Sequence, residues 1–296
     1  MKKQYHGFLL VDKPAGLISR RALNKALRVY GKKGGIEGIL DPFASGLLIL
    51  GFGMGTRFFS LFHELPKTYS GTILFGSETD TLDHQGKEVF HADLPSNDIE
   101  LWEKAIAKFQ GSIQQIPPAY SNVKVGGVRS RELAFQGTPI EPPARTVFFH
   151  DFEITNRLSD RADFIATVSA GTYLRSLARD FARELHSAGH LIALRRLSIG
   201  NWATEQAFPV NSEIDFSESL SYFLPIDKML PYPEIIISPE DAFALLQGKV
   251  LTTREEEPMA KLYTLDASGK KFLGLGMAQN SILKSVRLLP EYAEDK

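Results

Sequence analysis

The 296 residues suffice for one large domain or two of ordinary size, and 43% hydrophobic with 23% charged residues is the balance of a globular protein with a normal core. There is no cysteine, which excludes disulfides, thiolate nucleophiles and cysteine-rich zinc sites and suits a reducing compartment. The net charge of −1 points to no polyanion, the opening apolar run stops at Asp12, too short for a secretory signal, and no apolar stretch reaches membrane-spanning length, so the cytoplasm is the default.

Residues 8–11 (Phe-Leu-Leu-Val) read as a short buried strand ending in the turn Asp12-Lys13-Pro14-Ala15-Gly16. Ser19 reads as the N-cap of a helix with Leu23, Ala26, Leu27 and Tyr30 on one face, ended by Gly31. On the opposite face Arg21, Lys25, Arg28 and Lys32 recur at i, i+4, i+7 and i+11. Residues 13–36 hold seven basic side chains and no acidic one, while acidic residues collect at 212–219 and 255–257. Such a stripe attracts a polyanion, although a basic run is more often a solvated face.

Residues 34–46 read as a glycine-rich loop, 47–53 as a buried strand, 69–75 as another strand and 76–83 as a polar loop. An amphipathic helix is expected over 101–109, a long surface excursion over 111–143, and a strand over 164–169. Leu174, Leu177, Ala178, Phe181 and Leu185 form one apolar helical face. Residues 225–233 read as a linker. Beyond it Ser238 is an N-cap with Pro239 at the first helical position, Gly248 closes that helix, and strands follow at 262–265, 272–277 and 282–288. The sum is a large α+β domain with a small, mostly β domain behind it.

The segment Gly38-Ile39-Leu40-Asp41-Pro42-Phe43-Ala44-Ser45-Gly46 concentrates the chemistry. A residue before proline is pushed out of the α region, and the flanking glycines allow tight turns and close approach of a ligand. The ordinary role for such an aspartate is an N-cap with Pro42 opening a helix. Tyr69 would ordinarily be a core tyrosine on a strand, and Arg175 a helix-surface arginine spaced with Arg179 and Arg183.

The segment from Gly38 to Gly46, continuing to Gly55-Thr56-Arg57, resembles the catalytic motif of the TruB family of pseudouridine synthases. Further blocks match in the family's order: Asp12-Lys13-Pro14-x-Gly16; Lys67-Thr68-Tyr69 with Phe75-Gly76-x-x-Thr79-Asp80-Thr81-x-Asp83; Gln115-Ile116-Pro117-Pro118-Ala119-Tyr120-Ser121; and Gly171-Thr172-Tyr173-Leu174-Arg175 with Leu194-Arg195-Arg196-Leu197. The resemblance implies a catalytic domain over 1–228 with a mixed, mainly antiparallel sheet and an insertion at about 111–150, followed by a PUA-like RNA-binding domain over 229–296. It implies isomerisation of a uridine in the T-loop of tRNA, position 55, without cofactor or metal, by cleaving the C1′–N1 bond and rejoining the base through C5. It makes Asp41 the catalytic aspartate, Arg175 its partner, and Tyr69 the ring that stacks on the base and assists proton removal. Tyr173 and Leu194 would line the uracil pocket, and Arg21, Lys25, Arg28, Lys32, Arg195 and Arg196 would meet RNA backbone.

The implied partner is the tRNA T-arm, with no membrane and no obligate protein partner, and the expected state is a monomer. The chain departs from the family at Ile36, where a histidine that helps flip the base is usual, and at Arg131 and Phe135, which replace the family's aromatic and arginine positions in the insertion. Two other readings stand beside the enzyme: a tRNA-binding and folding protein with weak or no catalysis, and the family's guide-RNA-dependent relative.

Overall fold

Phe8-Leu9-Leu10-Val11 is apolar at every position because the strand that carries it is covered on both faces. In the computed structural model, which describes residues 4–210, 213–267 and 269–289, β1 (Gly7–Lys13) directs Leu9 and Val11 towards α1 (Ser19–Tyr30), where Ala22, Leu23, Ala26 and Tyr30 are buried. Phe8 and Leu10 belong to the opposite core, with Phe58, Phe62 and Met229. β2 (Gly34–Glu37) and β3 (Ser45–Phe52) pair as an antiparallel hairpin, Gly34 opposite Phe52 and Glu37 opposite Ile49. The connection across 38–44 carries Asp41.

After α2 (Ser60–His63) come β4 (Lys67–Phe75), β5 (Ser77–Thr79), β6 (Glu88–His91), α3 (Ile99–Ala107) and β7 (Gly111–Gln115). Short elements β8 (Lys124–Val125), β9 (Val128–Arg129) and α4 (Ser130–Phe135) follow, then β10 (Arg145–Arg157), β11 (Arg161–Val168), α5 (Leu174–Glu184) and β12 (Gly189–Ile199). β13 (Trp202–Ala203), β14 (Phe208–Pro209) and β15 (Phe223–Pro225) complete an eleven-stranded sheet whose main path runs β14-β1-β3-β12-β4-β11-β10-β7. Among the described residues its pairs are antiparallel except β1 with β14 and β3 with β12.

The β3–β12 junction is short, Ser45 opposite Arg195 and Gly46 opposite Arg196. Gly46 has φ +102°, and a Cβ there would lie 2.2 Å from the Arg196 carbonyl oxygen, so no other residue fits. Trp102, Phe109, Phe149, Phe152 and Phe181 fill the space between β10, α3 and α5. The apolar stripe expected on α5 is the buried one.

A second sheet, in the order β16-β18-β19-β20-β17, is formed by β16 (Glu234–Ile237), β17 (Leu251–Thr252), β18 (Glu257–Asp266), β19 (Gly269–Gln279) and β20 (Ile282–Leu288). With α6 (Pro239–Leu246) it has its own core of Ile235, Ala242, Leu245, Leu262, Leu273 and Leu283. Ser238 caps α6 as expected, accepting from the Asp241 N–H at 3.1 Å.

Four local expectations change. Ser19 is the first residue of α1, not its cap; Ile18 holds the cap position, and its side chain has no oxygen to accept from the helix N–H groups. The loops expected at 34–46 and 76–83 contain β2 and β5, strands too short and too polar to show a period. The excursion expected from 111 begins only after β7, an edge strand whose Gly-Ser-Ile-Gln-Gln sequence hides its place in the sheet. The linker expected at 225–233 is packed: Ile226, Met229 and Leu230 are buried with Phe8 and Phe62, their contribution masked by the prolines around them. Met229→Ala is therefore expected to destabilise the protein by about 2–5 kcal/mol in denaturant melts, whereas a solvated linker would change by less than about 0.5 kcal/mol.

Candidate active site

Three buried side chains grip the backbone on either side of Asp41. Ser19 Oγ donates to the Leu40 carbonyl at 3.0 Å and accepts from the Leu40 N–H at 3.3 Å. Arg196 donates from Nη2 to the Gly38 carbonyl at 2.6 Å and from Nε to the Leu47 carbonyl at 2.7 Å. Lys13 Nζ donates to the carbonyls of Leu17 at 2.7 Å, Pro14 at 3.1 Å and Pro42 at 3.3 Å, and the Pro42 oxygen also accepts from the Gly16 N–H at 2.8 Å. The Asp12-Lys13-Pro14-x-Gly16 turn thus serves as a clamp on the loop that follows Leu40.

The Asp41 carboxylate itself caps no helix among the described residues. Its side chain is 41% exposed, and Oδ2 lies 2.9 Å from Arg175 Nε, whose side chain is 7% exposed. The Nε–H is not aimed along that line, so the contact is an ion pair rather than an aligned hydrogen bond. Arg175 is fixed from its other end: Nη1 donates to the Thr81 carbonyl at 2.8 Å and Nη2 to the Tyr120 carbonyl at 3.1 Å. Asp83 stands 3.7 Å from Nη1, its own carboxylate held by Thr81 Oγ1 at 2.8 Å and the Gln85 N–H at 3.0 Å. A buried guanidinium with these partners is rigid, and losing one partner would leave charge uncompensated.

Burial lowers the Lys13 ammonium from its ordinary 10.5 to about 8; the Asp41 carboxylate pulls it upward, and the positive charge of Arg196 adds to the depression. Lys67, also buried, is lowered by its burial.

A cavity of about 270 Å³ opens beside Asp41, and Tyr69, Tyr173, Arg175 and Leu194 line it with that carboxylate. β4 and β12 set two of these walls, Tyr69 opposite Arg196 and Gly71 opposite Leu194. Tyr173 precedes α5 and is held by the buried amide of Gln115, which accepts from the Tyr173 N–H at 2.8 Å and donates to its carbonyl at 3.1 Å. Arg145 lies over the Tyr173 ring, 4.8 Å from its centroid, with Nε buried and lacking a hydrogen-bond partner among the described residues. An adjoining groove shares Ile39, Asp41, Asn122 and Arg131 with the cavity and is bordered by Arg20, Lys124 and Arg129.

The structure therefore brings Asp41, Tyr69, Tyr173, Arg175 and Leu194 to one place. It does not treat the expected backbone contacts alike. Arg21 and Arg28 are exposed on α1, Lys32 is exposed just beyond its end, and Lys25 is half-buried, near enough to Asp215 to help lower that carboxyl. Arg195 is paired with Asp12 through two bonds of 2.9 and 2.7 Å, a pairing that raises its pKa. Arg196 is corrected from a backbone contact to a buried brace, because its guanidinium is spent on the Gly38 and Leu47 carbonyls and is closed to a phosphate.

Ile36 packs against the α1 core and borders the groove, not the cavity. Sequence reasoning passed over Glu37, His63 and Arg145, all of which line the cavity, and quoted Lys13 and Gln115 only as parts of motifs. A lysine closing an apolar strand was a usable signal; the pairing of residues 26 apart, as in Glu37 and His63, left none.

An open carboxylate beside a buried arginine, with aromatic and apolar walls, thus sits at the junction of β4, β12 and α5. Comparison bears out the fold: the protein of an H/ACA ribonucleoprotein bound to a substrate RNA containing 2′-deoxyuridine superposes with a TM-score of 0.64 at 19% identity, over 98% of this chain and 81% of that one. The model of the TruB family pseudouridylate synthase N-terminal domain matches residues 25–174, and that of the pseudouridine synthase II TruB C-terminal domain matches 233–289. The tRNA pseudouridine synthase B of Aquifex aeolicus is 35% identical over 291 residues, covering 96% of this chain and 99% of that protein. Its counterpart in Clostridium kluyveri is 34% identical, covering 95% and 99%. The chain belongs to the TruB family of pseudouridylate synthases.

The Lys13 depression has a stability consequence. Between about pH 8 and its ordinary 10.5 the unfolded chain holds the proton more often than the native one, so this group's contribution to stability rises with pH across that window and is smallest below it. Wild type should gain on the order of 1–3 kcal/mol relative to Lys13→Met between pH 8 and pH 10, measured by denaturant melts, and a parallel pH dependence for the two proteins would place the proton elsewhere.

Proposed function

We propose that this chain converts uridine to pseudouridine in the T-loop of tRNA, at position 55, acting as a single chain in the cytoplasm. The observation that carries the reading is the Asp41 carboxylate, held by its clamped backbone and by Arg175, open to a cavity with Tyr69, Tyr173 and Leu194 around it. Uridine in a folded loop is stacked, so its glycosidic bond is reached only by extruding the nucleotide, and the apolar and aromatic walls suit the extruded base.

Asp41 then faces C1′. Breaking the C1′–N1 bond builds positive character on the sugar, which the carboxylate stabilises or traps. The freed uracil turns between Tyr69 and Leu194, C5 bonds to C1′ and displaces the carboxylate where that has trapped the sugar, the C5 proton leaves with assistance from the Tyr69 hydroxyl, and N1 takes up a proton. Atoms and electrons balance with no redox partner. The groove bordered by Arg20, Lys124, Arg129 and Arg131 suits the backbone of the T-arm, with Phe135, 78% exposed on α4, against Tyr120 of the adjoining cavity. The C-terminal sheet serves as the accessory RNA-binding unit.

Asp41→Asn should abolish product formation while tRNA binding stays within about twofold, because the amide keeps the shape of the side chain and removes its charge. Tritium release from labelled transcript and a filter-binding titration check this pair of outcomes. Turnover near wild type would assign the chemistry to another residue.

A further inference from the structure

His63 ends α2 and lines the same cavity as Asp41, beside Glu37 and Lys67. Two separate anchors hold it. Its carbonyl accepts from Lys67 Nζ at 2.7 Å, a buried ammonium that also takes the Leu65 carbonyl at 2.9 Å. Its ring Nδ1 lies 3.1 Å from Glu37 Oε1, with the Glu37 side chain only 9% exposed and the imidazole 64% exposed. An exposed side chain on a short surface turn loses rotamer freedom when it is fixed, and a carboxylate is costly to bury without a partner. A buried glutamate paired with an open imidazole is therefore a device for aiming that ring.

The direction of aim follows from donor and acceptor chemistry. A carboxylate only accepts, so Nδ1 carries the hydrogen; in the neutral ring Nε2 is then an acceptor, and it has no recorded partner among the described residues. Of the charged side chains on the neighbouring walls, Lys67, Arg131, Arg145, Arg175 and Arg196 only donate, and the two acceptors, Asp41 and Glu37, face Arg175 and the His63 ring. An RNA backbone presents acceptors along its phosphates, which Arg131 and Arg145 suit, and one kind of donor, the ribose 2′-hydroxyl.

We propose that His63, aimed by Glu37, accepts a hydrogen bond from a ribose 2′-hydroxyl of the RNA strand at the mouth of the cavity and so favours RNA over DNA there. This rests on the uridine-isomerising reading above. It makes His63 a substrate-binding residue and Glu37 its positioning residue.

The test pairs protein and RNA changes, using synthetic T-arm hairpins that carry a single 2′-deoxy substitution at each loop nucleotide in turn. With wild type, one position should raise KM about fivefold with kcat unchanged, the effect of one hydrogen bond. His63→Phe should raise KM by the same factor on the all-ribose hairpin and show no further loss at that deoxy position. His63→Gln, which keeps an acceptor oxygen, should restore most of the affinity and the deoxy penalty. Equal deoxy penalties in wild type and His63→Phe at every position, or wild-type KM for His63→Phe, overturn the proposal; so does rescue by Phe but not Gln, which would mean stacking. Conversion of the all-ribose hairpin by wild type is read first: its absence counts against the isomerase reading and this proposal together, whereas conversion without coupling counts against this proposal alone.

Discussion

The contact between Arg175 and Asp41 is the point on which the rest of the site depends. The role proposed for Asp41 asks its carboxylate to remain charged, open and still, and these demands conflict, since an open loop is ordinarily mobile. Here the conflict is met by dividing the work. Ser19, Lys13 and Arg196 hold backbone atoms at Leu40, Pro42 and Gly38, and the side chain between them is left to pair with Arg175. Arg175 can be that partner because Thr81 and Tyr120 occupy its two Nη groups. Segments from β1, the β2–β3 loop, the region after β4, the insertion and α5 therefore meet at one ion pair. That convergence explains why short motifs scattered along the chain belong together.

The charge of the molecule has a similar logic. A net charge of −1 conceals a cavity whose walls include Lys67, Arg145, Arg175 and Arg196, with Lys13 close behind Asp41. Several of these cations are buried and tied to carbonyl oxygens, which satisfies their hydrogen bonds without cancelling their charge. The same wall holds two anions, Asp41 matched with Arg175 and Glu37 matched with His63. The field that a polyanion meets is set by this interior arrangement more than by the surface total.

Much of this was legible in the sequence. The covered strand at 8–11, the apolar stripe of α5, the Ser238-Pro239 helix start and the family motifs around Asp41, Tyr69 and Arg175 all lie where pattern and resemblance put them. What failed to show was of two kinds. Short or edge strands such as β2, β5 and β7 have no run of apolar positions to reveal them, and the packed segment at 225–233 was hidden by its prolines. Side chains whose partners are remote in sequence were mis-assigned. Ser19 looked like a cap because serine is among the favoured cap residues, yet its hydroxyl is used on Leu40; Arg196 looked like a surface cation, yet it braces Gly38. Ile36 raised a doubt about the missing histidine, and the imidazole at this cavity comes instead from His63 on another element.

The most direct measurement is a crystal structure of the Asp41→Asn protein bound to a T-arm hairpin. The account predicts one uridine turned out of the loop, its C1′ in contact with residue 41 and its ring between Tyr69 and Leu194, with Arg175 still bonded to the Thr81 and Tyr120 carbonyls. A loop bound with every base stacked, or an extruded nucleotide lodged away from residue 41, would contradict it.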